Sequence, residues 1–336
     1  MNLTHKAKNM NYVKLNNGIE MPQLGFGTYL IPDENLEDAL IKAYDMGYRQ
    51  FDTAWKYDNE ARIAEIFKKH GIKRDNVFIT TKISEHALYR GGYRGGVRRV
   101  LNRRNNVSIE QSVQQSFDNL DTDYIDLFLI HAPCKQSIEM YKVLEKIYKQ
   151  GRIRAIGVSN FLRPHIEYLC EVCEVVPAVN QIEISPLNAQ IEYTEWLQKR
   201  GIAVEAQSTF SHCHSVEPRL EIIENPEIVE VAKAHGKSSV QVVLRWLLQR
   251  GIICIPKTWY EPHIKENISI FDFELSSEEM NVVSSLDKGK YLNYNNFNRQ
   301  RMLPKKYRNW EGFKNPDNYG DEFNALPWWK KPFYID

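Results

Sequence analysis

Four side chains of different chemistry stand at or just beyond the ends of apolar runs. Asp52 closes the run 50–52, Tyr57 lies in the stretch that follows, Lys82 closes 77–82, and His131 comes directly after 125–130. A free tyrosine has a pKa of about 10, too high for easy proton donation near neutrality, but an adjacent ammonium favours the phenolate. Lys82 can supply that charge, and Asp52 can hold Lys82 protonated and in place. His131 can donate a hydrogen bond to a carbonyl oxygen. The set fits proton delivery to a carbonyl that is accepting a hydride. Singly, each of the four reads as a cap or a surface ion pair; the functional reading rests on their combination.

Such a set works only if the chain brings it together, and the hydropathy pattern supplies the means. Apolar strand-like runs alternate with amphipathic helical patterns, the signature of parallel βα units. Eight pairs are read, with strands at 24–27, 50–52, 77–82, 125–130, 153–159, 178–182, 203–207 and 252–255. Most are short and mainly apolar, as strands buried on both faces should be. Ile138, Tyr141, Leu144, Ile147 and Tyr148 recur at helical spacing and put one apolar stripe toward a sheet, as do Val240, Val243, Leu244, Leu247 and Leu248. The expected fold class is therefore α/β, a (β/α)8 TIM barrel forming a single domain over 1–336, with its core at 13–290 and a C-terminal tail at 291–336. Ahead of the first strand, 12–15, Asn16-Asn17-Gly18 and 19–21 predict a small hairpin, since Asn and Gly tolerate the positive φ of a tight turn, and such a hairpin can plug one barrel end. In this fold catalytic groups sit where strands end. Polar residues recur there: Asp52, Lys82, His131, Asn160, Gln181, Gln207 with Ser208, and Lys257 with Thr258.

Length and composition agree. A chain of 336 residues, 43% hydrophobic, suits one large barrel or two ordinary domains. Its 44 basic and 43 acidic residues leave a net charge of +1, so no global field favours nucleic acid or a membrane surface, and a small neutral or locally recognised molecule fits better. With the four-residue set, the expected partner is a small-molecule carbonyl substrate; a monomer is expected, with a weak oligomer as the alternative. No run of about 18 apolar residues occurs. Five cysteines, an odd number in a long chain, suit free thiols in a reducing cytoplasm. Cys170 and Cys173, with His212, Cys213 and His214, have short spacings but fall in separate segments, so packing is the reading preferred over zinc. Two segments break the βα rhythm. One is 83–106, with Arg90, Arg94, Arg98, Arg99, Arg103 and Arg104 around two Gly-Gly pairs; the other is the aromatic tail, with Trp310, Trp328 and Trp329 among its rings. The tail is expected to pack on the barrel, with an oligomer contact through Trp328 and Trp329 as the alternative. The arginine loop reads first as a solvated surface and second as a clamp for a carboxylate or phosphate.

Over roughly 13–290 the chain resembles the aldo-keto reductase superfamily. The stretch from Gly47 through Asp52 and Tyr57 to Glu60 is similar to the family's segment bearing its catalytic Asp and Tyr. Thr80-Thr81-Lys82 is similar to the one with the catalytic Lys, and the stretch from Asp123 to His131 to the one with the catalytic His. Arg154 to Phe161 and Asn180 to Glu183 resemble the nicotinamide-binding segments, and Ile255-Pro256-Lys257-Thr258 the adenosine-phosphate segment. The resemblance implies NADPH or NADP+ as cofactor, with NADH as the alternative, and a reversible reduction of an aldehyde or ketone to an alcohol. It implies that Ser159, Asn160 and Gln181 hydrogen-bond the nicotinamide carboxamide while Gly27, Thr28 and Tyr29 line the cofactor and substrate side. Lys257 and Thr258 would meet a 2′-phosphate, and Glu266 and Asn267 the adenine.

Departures from the family pattern are informative. Gln207 stands where an aromatic residue usually stacks on the nicotinamide, Thr209-Phe210 replaces Pro-Leu, and His263 replaces an arginine that binds the 2′-phosphate. A neutral histidine holds phosphate less firmly than a guanidinium. Ala132 follows His131 where Trp is frequent, which implies a wider pocket. Two other readings follow: a catalytically weak NADPH-binding regulatory subunit, and a dedicated biosynthetic reductase for a bulky anionic carbonyl substrate.

Overall fold

In the computed structural model, which describes residues 10–84, 107–210 and 217–289, the chain enters through an antiparallel hairpin of β1 (Tyr12–Lys14) and β2 (Glu20–Pro22). Leu15 N donates to Ile19 O at 2.8 Å and Gly18 N to Leu15 O at 2.9 Å, closing the turn. Only Gly18 takes a positive φ, 86°. The asparagines do different work from the one expected: the Asn16 amide donates to Pro177 O at 3.1 Å and the Asn17 amide to Arg154 O at 2.8 Å, tying the turn to the barrel.

Eight parallel strands follow, each hydrogen-bonded to the next in chain order. They are β3 (Phe26–Gly27), β4 (Gln50–Asp52), β5 (Phe78–Ile83), β6 (Ile125–Ile130), β7 (Ile153–Ser159), β8 (Val179–Glu183), β9 (Ala203–Gln207) and β10 (Ile253–Cys254). The first and last meet at a seam, where Leu24 pairs in parallel with Cys254 and Gly27 N donates to Pro256 O at 3.1 Å. A Cβ on Gly27 would lie 2.9 Å from Ile255 O, so the seam needs a glycine there. Four strands have the predicted limits. The other four shift or shorten by one or two residues, most at the seam, where twist and closure leave few ladder bonds.

Alternation along each strand sorts side chains between two cores. Phe78, Leu127, Leu129, Ala155, Val179 and Ile253 point into the barrel, where Leu15 and Met21 of the hairpin join them and close one end. Phe51, Ile79, Phe128, Ile130, Ile156, Val158 and Val204 point outward, against the helices. Each such burial contributes roughly 1.5–3 kcal/mol. The two predicted stripes lie on helices Ser137–Lys149 and Ser239–Gln249, the second opened by Ser238 and Gln241 in a reciprocal cap. No helix among the described residues is long and apolar enough to cross a membrane. The arginine loop from Arg90 to Arg104, the His212 to His214 cluster and the aromatic tail lie outside the described residues.

Candidate active site

Parity also delivers polar groups. Gln50 and Asp52 share a face of β4, Thr80 and Lys82 one of β5, Gln181 and Glu183 one of β8, and Glu205 and Gln207 one of β9. Phe78, Val179 and Ala203 mark the last three faces as inward. Inward positions are apolar at the plugged end and polar toward the strands' C-terminal ends.

Lys82 is the centre of this polar half, fully buried, with its ammonium 2.6 and 2.8 Å from the two Asp52 carboxylate oxygens and 3.0 Å from Thr53 O. A buried ammonium persists only when paired and hydrogen-bonded, and this arrangement does both. The same nitrogen stands 3.4 Å from Tyr57 Oη. Tyr57 closes a short 3-10 turn, Trp55–Tyr57, that ends on Asp58 in the left-handed region with φ 58°. That turn is held by a side-chain lattice: Thr53 Oγ1 donates to Asn59 Oδ1 at 2.5 Å, and Asn59 Nδ2 donates to Thr28 O at 3.2 Å. Thr28 Oγ1 in turn donates to Asp52 O at 2.9 Å. The Tyr57 ring meets both the Tyr29 ring, centroids 4.7 Å apart, and the His131 ring, at 5.6 Å. The four residues singled out from the sequence therefore converge, and Tyr29 stands with them.

Beneath the ammonium lies a tier that pattern reading missed. Gln181 Nε2 donates to Asp52 Oδ2 at 2.9 Å and to Glu205 Oε2 at 2.5 Å, while Gln50 Nε2 donates to Glu205 Oε1 at 2.5 Å. Both Gln181 N–H groups are thus spent on carboxylates, so only its Oε1 is left to accept from a carboxamide. Glu205 is fully buried, and burial followed by the Asp52 charge pushes its carboxyl up to about 7. A glutamate flanked by Val204 and Ala206 in the middle of a strand, in the same parity as Gln207, was the available signal. On the outer side of β5, Glu60 accepts from Thr81 Oγ1 at 2.6 Å and Asn119 Nδ2 at 3.0 Å, and burial raises its carboxyl.

Ser159 and Gln181 are register partners across β7 and β8. A hydroxyl beside an amide at adjoining strand ends is the donor and acceptor set that a carboxamide needs. Asn160, φ 59°, donates from its amide to Ser159 Oγ at 3.0 Å and His131 O at 3.1 Å, and accepts from Gln207 Nε2 at 2.7 Å. Gln207 is therefore a tie between the ends of β9 and β7. Ser208 has φ 54°, and Phe210 packs, half-buried, on the outer core. Five of the six described non-glycine residues with positive φ (Leu30, Asp58, Asn160, Gln190 and Ser208) lie in the loops that follow strands β3, β4, β7, β8 and β9.

The remaining predicted residues lie past the seam. The Lys257 ammonium sits 5.0 Å over the exposed Trp259 ring, and Thr258 Oγ1 accepts from Tyr260 N at 3.1 Å. His263 is exposed, edge-on to Tyr260 at 4.9 Å. Glu266 is half-buried and Asn267 buried, on helix Glu261–Ile268. This group is joined to the mouth through the bond between Gly27 and Pro256.

Comparison with known proteins agrees with the geometry. The profile of the Aldo/keto reductase family matches residues 23–288. Glyoxal reductase of Bacillus subtilis is 37% identical over 285 residues, spanning 84% of this chain and 95% of that protein. Morphine 6-dehydrogenase of Pseudomonas putida is 37% identical over 286 residues, spanning 82% and 91%. Among solved structures, an aldo-keto reductase from a deep-sea metagenome library superposes with a TM-score of 0.73 at 32% identity, covering 84% of this chain and 96% of that one. An aldo-keto reductase complexed with NADPH superposes at 0.71 and 32% identity, covering 86% and 90%.

Proposed function

The chain belongs to the aldo/keto reductase family of NAD(P)H-dependent oxidoreductases, and from that premise we propose that it reversibly reduces an aldehyde or ketone to an alcohol with NADPH, Tyr57 giving up the proton. The observation that carries this reading is the buried Lys82 ammonium shared between Asp52 and Tyr57 Oη. NADPH, when bound, supplies the hydride. As negative charge develops on the carbonyl oxygen, Tyr57 donates to it, and the ammonium 3.4 Å away stabilises the phenolate left behind. Asp52 keeps Lys82 charged and aimed, and His131, ring to ring with Tyr57, flanks the oxygen as a second donor. Tyr29 walls the substrate side.

The donor set fits the cofactor. Ser159, Asn160 and the Oε1 of Gln181 would hold the carboxamide, with Gly27, Thr28, Gln207, Ser208 and Phe210 along the dinucleotide. Lys257, Thr258 and His263 would take the 2′-phosphate side, and Glu266 and Asn267 the adenine. The name of the glyoxal reductase relative favours small aldehydes as the first substrates to try. Tyr57→Phe is expected to lower turnover by about 10²–10⁴ while NADPH still binds, the size of a lost general acid. Steady-state rates with a carbonyl panel, alongside NADPH fluorescence titration, check this; near-normal rates in the variant would refute the assignment. Wild-type protein that binds NADPH without consuming it with any carbonyl would instead support the regulatory reading.

A further inference from the structure

The catalytic cluster contains one carboxyl more than proton transfer at Tyr57 requires. Asp52 alone neutralises Lys82, yet Glu205 lies below it, fully buried and joined to it by the Gln181 amide. A solely structural role is poorly served by a carboxyl here, because an amide or apolar side chain of similar size would avoid burying a second acid beside Asp52. The groups that face Glu205 are few: Gln181 from β8, Cys254 from β10, Gln50 and Asp52 from β4, and Lys82 from β5. The Cys254 thiol is itself pushed up, by burial first and by Glu205 second, and so stays neutral. Among the described residues, Lys82 is then the one cation facing two carboxyls.

We infer that Glu205 is a positioning residue for the reaction, its carboxyl acting through the Gln181 amide on Asp52 to set how far the Lys82 ammonium is committed to Asp52 rather than to Tyr57. The inference rests on the proposed role of Tyr57. When Glu205 is neutral, Asp52 is the only anion among the described residues competing for Lys82, and the ammonium is available to the phenolate that forms as Tyr57 gives up its proton. When Glu205 is ionised, a second negative charge stands beneath the pair and opposes the phenolate. Gln50 can serve both forms: its Nε2 donates to the carboxylate, and its Oε1, buried and without a partner among the described residues, can accept the O–H of the neutral acid after a half-turn of the amide. Burial, and after it the Asp52 charge, push the carboxyl up to about 7, which brings its change of form toward neutrality.

The test is the pH profile of carbonyl reduction by the full chain, with NADPH affinity measured by fluorescence at each pH. In the wild-type protein, turnover is expected to fall by roughly tenfold as pH rises through the transition, the size of one charge acting at short range through partly screened protein. Glu205→Gln, which keeps the volume and whose amide the Gln50 half-turn accommodates, loses this inflection while binding NADPH. Gln181→Met keeps Glu205 but removes both the amide link to Asp52 and an N–H that favours the ionised carboxylate, so the inflection becomes smaller and moves to higher pH. A wild-type profile flat within about one unit of pH 7, an inflection that persists in Glu205→Gln, or one unmoved in Gln181→Met would each overturn the inference. If Tyr57→Phe is inactive and these profiles do not change, only the role of Glu205 fails; if Tyr57→Phe is fully active, the role of Tyr57 fails with it.

Discussion

The two halves of the barrel interior are built by the same strands under the same parity rule, yet they hold opposite chemistries. In the plugged half, Phe78, Leu127, Leu129, Val179 and Ile253 close on Leu15 and Met21 of the hairpin, and nothing there needs a hydrogen bond. In the mouth half, Gln50, Asp52, Lys82, Gln181 and Glu205 share one connected network at equal burial. Apolar contacts are forgiving and additive, so the plugged half tolerates small losses. The polar half is all-or-none, since removing one partner strands another in a medium that cannot solvate it.

Three substitutions can break or sharpen this contrast. The largest effect is expected from Lys82→Met, which leaves Asp52 buried without its counter-charge. Turnover should fall by at least about 10²-fold, and chemical denaturation should show a loss of about 3–5 kcal/mol. A variant of undiminished stability would mean that water reaches Asp52 after all. Phe78→Ala, in the plugged half, should cost a similar 3–5 kcal/mol as a cavity but leave turnover and its pH dependence nearly unchanged below the melting temperature. A changed pH profile there would show that the two halves are coupled through β5. The smallest effect is expected outside the interior: His263→Arg should tighten NADPH about tenfold relative to NADH, or roughly 1.4 kcal/mol, because a fixed guanidinium replaces an exposed imidazole. An unchanged ratio of the two dissociation constants, measured by titration calorimetry, would remove His263 from the 2′-phosphate side.

Legibility differed along the chain in a way that follows from range. The strand ends at Asp52 and His131 and the helix over Ser137–Lys149 emerge from periodicity within a dozen residues, a local property. The hairpin turn was legible at Gly18 and misread at Asn16 and Asn17, because their amide partners, Pro177 and Arg154, are remote in sequence. Glu205 was passed over for the same reason: nothing in the run 203–207 announces that Gln181 and Gln50 will face it.

By itself, then, the order of residues determined the number of βα units, the face each strand residue takes, and which four groups stand at strand ends, since these follow from periods of two and 3.6 and from where polar residues interrupt them. Only the tertiary structure decided that Gln181 spends its amide on Asp52 and Glu205, that Gln207 ties down Asn160, and that Glu205 is buried beside Asp52, which pushes its carboxyl up. Those outcomes depend on strand stagger and barrel closure, which bring together groups separated by up to 155 residues of chain and at the same time withdraw the water that would otherwise have paired with them.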